Sequence, residues 1–450
     1  MGYTRGRRIR ALIGICLGVA VGAIFFSAVN TALAAIQTSL DATLTQLQWV
    51  MNIFGITICS TLVTVGRLAD IYGRKRIYLI GICLLAVSML GSGLAPQVEW
   101  IIFFQAILGF SSAILIPVSQ ALISNLYSAE ERSKAMGIWA AVVGLAMAVG
   151  PLYSGAMISW LSWRWVFLGT LPLIAISLIL VALFSQESHS EEQESHIDYV
   201  GILLLFITIS TFVLAVVQGQ SWRASLVTTL YIVSVVAFVL LLYFEKKVIQ
   251  PIIRGDLFKN RQFLTASIAN LCLIFFVWAS FFFMPLYFQT IRHYSPLQTG
   301  LMMLNVTIPL TIFSFTVGHL YRRWGAKWLI GSGFVFLLLS AVLQMYFQPN
   351  SNVWLLLMGT LAFGVAWGFI WTPSTTAAIS VLSLQDAGIA SGTFITLQEI
   401  GGTVGLAITG AVVRAHTNLL VGYHDGMWVL VVICLIGMMA AGLMQSTKSD

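Results

Sequence analysis

Apolar residues in this chain come in long unbroken runs parted by short polar breaks. They do not form the alternating or three-to-four-residue stripes of a fold with one wet face. Fourteen such runs stand out, at roughly 11–34, 48–66, 77–95, 98–123, 136–158, 164–184, 199–217, 226–244, 264–289, 299–318, 328–347, 353–375, 388–412 and 427–445. Each is close to the ~20 residues that carry a helix across the hydrocarbon core of a bilayer. Backbone polar groups must be satisfied within the segment there, so the pattern predicts helices. The expected fold is an all-α membrane protein of fourteen transmembrane helices. The breaks suggest its organisation: an N-terminal six-helix bundle (1–185), an acidic, solvated cytoplasmic linker (186–198), an inserted helix pair (199–244), a basic cytoplasmic loop (245–263) and a C-terminal six-helix bundle (264–450).

Composition agrees, and it removes the soluble alternatives. The chain is 59% hydrophobic and 9% charged, with a mean hydropathy of +0.93; such a surface cannot face water. The net charge of +7 could suggest nucleic acid, but the placement of the charges argues otherwise. With the N-terminus inside, 19 of the 23 Lys and Arg fall on cytoplasmic segments, leaving Arg164, Arg223, Arg292 and Arg414 outside. That asymmetry is the positive-inside pattern and predicts two cytoplasmic termini. The five cysteines, Cys16, Cys59, Cys83, Cys272 and Cys434, all sit within apolar runs without paired spacing. They are expected to pack as small side chains, with no disulfide and no metal site. The Arg5–Arg10 cluster before the first run is expected to lead an uncleaved helix, since that run is too long for a signal peptide and lacks a cleavage site.

The break between the second and third runs carries the most information: Gly66-Arg-Leu-Ala-Asp-Ile-Tyr-Gly-Arg-Lys-Arg76. Gly66 and Gly73 suit a sharp turn, and Asp70 lies within reach of Arg67, Arg74, Lys75 or Arg76. The basic residues alone would suit an ordinary cytoplasmic loop. The full spacing resembles the signature hairpin between helices 2 and 3 of major facilitator superfamily transporters, which gates the cytoplasmic side. A second copy, Gly318-His-Leu-Tyr-Arg-Arg-Trp-Gly-Ala-Lys327, stands at the matching place in the second half, with Arg322 where the first copy has Asp70. Parallel halves of this kind are a transporter pattern.

Gly144, Gly150, Pro151 and Gly155 lie in the fifth run. Proline bends a helix and glycine lets a neighbour approach, so plain helix packing is one account. Directly before Trp160-Leu-Ser-Trp-Arg-Trp-Val-Phe167, the set also resembles the antiporter motif of drug exporters. Leu47-Gln-Trp-Val50, Asp198-Tyr-Val-Gly201, Gln218-Gly-Gln-Ser-Trp222, residues 251–263, Pro285-Leu-Tyr-Phe-Gln289 and Ser295-Pro-Leu-Gln-Thr-Gly300 extend the likeness across essentially the whole chain. Together they resemble the fourteen-spanning drug:proton antiporter family, which implies extrusion of hydrophobic molecules in exchange for protons.

Two departures from that family matter. Where it carries an Asp in helix 1 and an Arg in helix 4, this chain has Phe25 and Gln105. Losing both is coherent, because an unpaired charge within the membrane is costly. Of the sixteen acidic residues only Glu399 falls deep within a run. Without a cationic neighbour it suits reversible protonation, and it is the candidate proton carrier; a structural carboxyl tied to Gln398 is the rival account. The amides Asn30, Asn52, Gln105, Gln120, Asn270 and Asn305 and the aromatics Phe25, Phe54, Phe282, Tyr287, Trp367 and Trp371 are the candidate substrate cavity, with helix packing as the alternative for each. Trp160, Trp163, Trp165 and Trp222 suit the interfacial belt.

A neutral aromatic and amide cavity favours lipophilic or zwitterionic substrates. The expectation is proton-driven export across an inner membrane, with no cofactor and no enzymatic activity, since no catalytic set of residues occurs in the runs. Beyond the substrate, protons and the bilayer, the partners to test for are a periplasmic adaptor and an outer-membrane channel. The alternatives are an uncoupled or differently coupled exporter of a native metabolite, such as a siderophore or amino-acid derivative, and a degenerate transporter acting as a sensor.

Overall fold

In the computed structural model, residues 5–127, 129–188, 198–248, 255–379 and 387–444 are described, and every regular element among them is helical. The helices are α1 Arg5–Leu40, α2 Leu44–Tyr72, α3 Arg74–Gly93, α4 Val98–Leu126, α5 Ala129–Trp160, α6 Arg164–Phe184, α7 Tyr199–Gln218, α8 Ala224–Glu245, α9 Arg261–Ile291, α10 Pro296–Phe313, α11 Arg323–Met345, α12 Val353–Ile379, α13 Ala387–Arg414 and α14 Leu419–Gly442. Among the described residues thirteen helices are long and apolar enough to cross a membrane. There are fourteen if Leu44–Leu62 and Thr64–Tyr72, bent by 51°, count as one span. This is a multi-pass membrane protein.

Short polar breaks start the helices by local chemistry. Thr43 and Gln46 form a capping box on α2, and Ser295 and Gln298 form another on α10, with Pro296 at its first turn. Each box satisfies backbone donors that the first turn leaves without partners. Asn260 caps α9 through the amides of Gln262 and Phe263, and Asn418 caps α14 through Leu420. Glycine ends what these caps begin. Gly73 has φ +104° at the α2–α3 turn and Gly325 has φ +74° at a kink in the first turn of α11. A left-handed φ is strained for any residue with a Cβ, so the two copies of the glycine-bounded hairpin place their second glycine for the same reason.

The chain forms two compact units, Met1–Ile202 and Leu203–Asp450. In the first, α1 packs on α5, α6 and α4, while α4 also receives α2 and α3. In the second, α9 is central and packs on α12, α13 and α14. Of its apolar window 94% is buried, against 17% for α8, so α8 lies at the periphery of that unit. Trp160, Trp165 and Trp222 are exposed as a belt requires, but Trp163 is buried, with the Arg164 guanidinium 4.3 Å above its ring. Four cysteines are buried and Cys83 is exposed.

Candidate functional site

Three groups of the residues singled out above are brought together, each within one unit. The first is the hairpin. Asp70, in the last turn of α2, accepts from Arg74 Nε at 2.9 Å and Nη2 at 2.8 Å through a single carboxylate oxygen. The pair is partly exposed. Arg74 opens α3, whose N-cap Gly73 offers no side chain. The cap comes from a distance: Glu187, just beyond α6, accepts from Lys75 N at 2.9 Å and Arg76 N at 3.1 Å. Its neighbour Ser188 accepts from Arg74 N through its carbonyl and from Asn125 Nδ2 through its hydroxyl, both at 2.9 Å. Lys75 Nζ closes the set by donating to Ala182 O at 2.7 Å. The start of the acidic linker is therefore docked on the hairpin rather than solvated. Residues 189–197 of that linker and the side chains of Arg67 and Arg322 lie outside the described residues.

The second group lies where α1, α2 and α4 meet. A narrow crevice with about 10 Å³ of free space, the room of one water molecule, is lined by Phe25, Phe54, Gln105, Phe26 and Met51 among others. The two positions at which the chain departs from the resembling family, Phe25 and Gln105, thus line one crevice. Phe25 is buried with its ring 5.1 Å from Phe167. Close packing of α2 on α4 sets the level of the amides. Gln46 Nε2 donates to Glu99 at 2.7 Å, and a Cβ on Gly109 would lie 2.6 Å from Phe54 O. These contacts have nearly the same sequence separation, so the helices run side by side in one direction and Asn52 stands level with Gln105. Both are buried, as is Gln48 one turn earlier in α2. The amide atoms of Asn52 and Gln48, Gln105 Nε2 and Asn30 Oδ1 make no hydrogen bond among the described residues. Buried amides normally have partners, so these orphaned amide atoms on α1, α2 and α4 form a concentrated polar feature, of which Gln105 lines the crevice itself. Gln48 was not among the candidates; its signal was a polar residue four positions before Asn52 within an apolar run.

The α1 side of this region is held by the glycine and proline set. A Cβ at Gly150 would overlap Ser27 Oγ and lie 2.6 Å from Ile24 O. The glycine therefore lets α5 touch the α1 backbone beside Phe25. Pro151 and Gly155 are buried next to it, whereas a Cβ at Gly144 would meet nothing within 4 Å. Close approach is required at Gly150 and not at Gly144.

The third group is in the second unit. Gly401, Gly402 and Gly405 of α13 lie against Leu271, Trp278 and Phe275 of α9. This contact delivers Gln398 to Asn270. Gln398 Oε1 accepts from Asn270 Nδ2 at 3.0 Å and from Trp371 Nε1 at 3.3 Å, and its Nε2 donates to Glu399 Oε1 at 2.9 Å. Ser374 Oγ reaches Asn270 Oδ1 at 3.4 Å. One carboxyl is thereby linked by hydrogen bonds to α9, α12 and α13.

The remaining candidates sit elsewhere. Asn305 Nδ2 donates to Leu357 O and Thr360 Oγ1 and ties α10 to α12. The Tyr287 hydroxyl donates to Gln348 O while its ring stacks on Tyr423. Phe282 is buried against Phe283. Trp367 stacks on Phe363 at 5.8 Å, its Nε1 without a hydrogen bond among the described residues. Gln120 is partly exposed on α4.

Comparison with known proteins identifies the architecture. Residues 15–406 match the Major Facilitator Superfamily. The chain is 31% identical over 424 residues to multidrug resistance protein Stp of Mycobacterium tuberculosis (strain CDC 1551 / Oshkosh), covering 93% of this chain and 78% of Stp. It is 29% identical over 414 residues to a methylenomycin A resistance protein of Streptomyces coelicolor, covering 90% and 86%. A crystal structure of a bacterial homolog of the human lysosomal transporter Spinster superposes with a TM-score of 0.70 at 15% identity, covering 98% of this chain and 96% of that one. The chain belongs to the Major Facilitator Superfamily. It is a membrane transporter and not an enzyme, with relatives named for drug resistance.

Proposed function

We propose that this protein exports small lipophilic molecules across the cytoplasmic membrane by alternating access, with both termini in the cytoplasm and protons moving inward in exchange. The observation that carries the proposal is the position of Glu399, hydrogen-bonded through Gln398 to Asn270 and Trp371 on two other helices. A proton arriving at or leaving Glu399 changes what its oxygens offer Gln398, and that amide is shared by three helices. A change of charge at one atom is thus coupled to helix positions in its unit. The Gly66–Arg76 hairpin acts as the cytoplasmic gate, and Gly150 with Pro151 acts as the antiporter motif that seats α5 on α1. Phe25, Phe54, Asn30, Asn52, Gln105, Trp367 and Trp371 supply substrate contacts. Relatives named for multidrug and methylenomycin resistance support outward transport of such molecules.

The replacement of the family's charged pair by Phe25 and Gln105 in one crevice favours a second reading, in which export of a native metabolite is not driven by protons. Reconstitution in proteoliposomes separates the two. Under an imposed pH gradient, the proton-coupled exporter moves neutral and zwitterionic fluorescent dyes uphill, and it equilibrates them without one. Identical flux with and without the gradient would select the uncoupled reading.

A further inference from the structure

The acidic linker has a role that the functional reading above does not use. The first four backbone N–H groups of a helix have no intrahelical acceptor, and α3 begins with Arg74, Lys75 and Arg76, no acidic residue and a glycine as its cap. Three cations beside the positive end of a helix dipole repel it. What answers both problems is Glu187, whose two carboxylate oxygens each take one backbone amide, Lys75 N at 2.9 Å and Arg76 N at 3.1 Å. Gly73 makes room for it. A Cβ there would lie 2.6 to 2.9 Å from the three carboxyl atoms of Glu187, quite apart from the strain of φ +104°. Glycine at this position therefore serves the turn and the carboxylate together. The contact is reinforced at each side by Arg74 N to Ser188 O and by Lys75 Nζ to Ala182 O.

We propose that Glu187 is a positioning residue for the gate, a latch whose carboxylate seats the Gly66–Arg76 hairpin against the end of α6. The hairpin then shifts only when the linker lets go. Arg74 is common to both contacts: its side chain holds Asp70, while its backbone belongs to the turn that Glu187 and Ser188 clamp. Loosening the latch thus alters the geometry in which Asp70 meets Arg74. The inference rests on the gate reading of the hairpin, and it assigns to the linker the task of setting when that gate opens.

Hydrogen–deuterium exchange on the full-length protein in lipid nanodiscs reads the latch directly, because the Lys75 and Arg76 amides have Glu187 as their acceptor. In Glu187→Ala these two amides should exchange at least about tenfold faster, the loss expected for a hydrogen bond to a charged acceptor. Amides from Leu79 onward should stay protected. Gly73→Ala should give the same local loss with Glu187 still present, and adding Glu187→Ala to it should change little more. Efflux of Nile red, a neutral lipophilic dye, supplies the second readout, with Glu187→Ala expected to be slowed several-fold and Glu187→Gln to fall between it and wild type. Unchanged protection of Lys75 and Arg76 in Glu187→Ala overturns the latch. So does wild-type efflux in Glu187→Ala beside a disabled Asp70→Asn, which leaves the gate standing. Wild-type efflux in both variants overturns the gate reading itself, and the latch with it.

Discussion

Asp70→Asn separates a gate from a structural ion pair, because the structure predicts opposite sizes for its effects on stability and on transport. The two charges stand at unfavourable helix ends, an anion in the last turn of α2 and a cation in the first turn of α3. Their side chains are 35% and 17% exposed, which keeps the pair in the range of about 0.2–1 kcal/mol. Removing the anion from the negative end of the α2 dipole returns about 0.3–1 kcal/mol. The two nearly cancel, so the net change in stability is within about 1 kcal/mol of zero and the melting temperature moves by about 2 °C or less. Turnover should fall by at least about tenfold, equivalent to about 1.4 kcal/mol on the barrier of a gating step. Thermal unfolding in detergent and dye efflux from proteoliposomes, on the same preparation, give both numbers. Undiminished turnover would reduce the hairpin to a topology signal, and a melting temperature lowered by ten degrees or so would make the pair a structural tie.

Three further outcomes follow from the other groups. Glu399→Gln keeps the shape and the hydrogen bond to Gln398 but cannot cycle a proton; gradient-driven dye accumulation should vanish while binding and passive exchange persist, and normal uphill transport would make the carboxyl structural. Gly150→Ala should destabilise by about 1–3 kcal/mol, since its Cβ meets Ser27 and the Ile24 carbonyl and overpacking of this kind does not relax cheaply; Gly150→Leu should be worse, and wild-type melting of the alanine variant would refute the α1–α5 contact. Asn52→Leu replaces a buried amide that makes no hydrogen bond among the described residues, so stability should stay level or rise by about 1 kcal/mol while efflux falls. A loss of stability with unchanged efflux would show the amide to be a structural element.

The spans and their ends were legible in the chain because helices close their hydrogen bonds locally. Runs of about twenty apolar residues admit no other backbone solution in a bilayer, and Thr43, Ser295, Asn260 and Asn418 start helices through bonds spanning two or three residues. The hairpin was legible too, since Asp70 and Arg74 are four residues apart and the left-handed φ of Gly73 and Gly325 is a local demand for glycine. Which side chains meet between helices was not. A segment apolar on every face carries no periodic signal of its rotation, so nothing in the runs placed Phe25 and Gln105 around one crevice, or Asn52 level with Gln105. The same gap hid the task of the linker: Glu187 caps a helix through Lys75, 112 positions earlier, and acidic composition alone suggested a solvated strand of chain. Tertiary structure decided these matters because close approach at Gly109, Gly150 and Gly401 selects the register of one helix on another. That register, more than hydrophobicity, chooses which buried polar groups find partners and which are left without them.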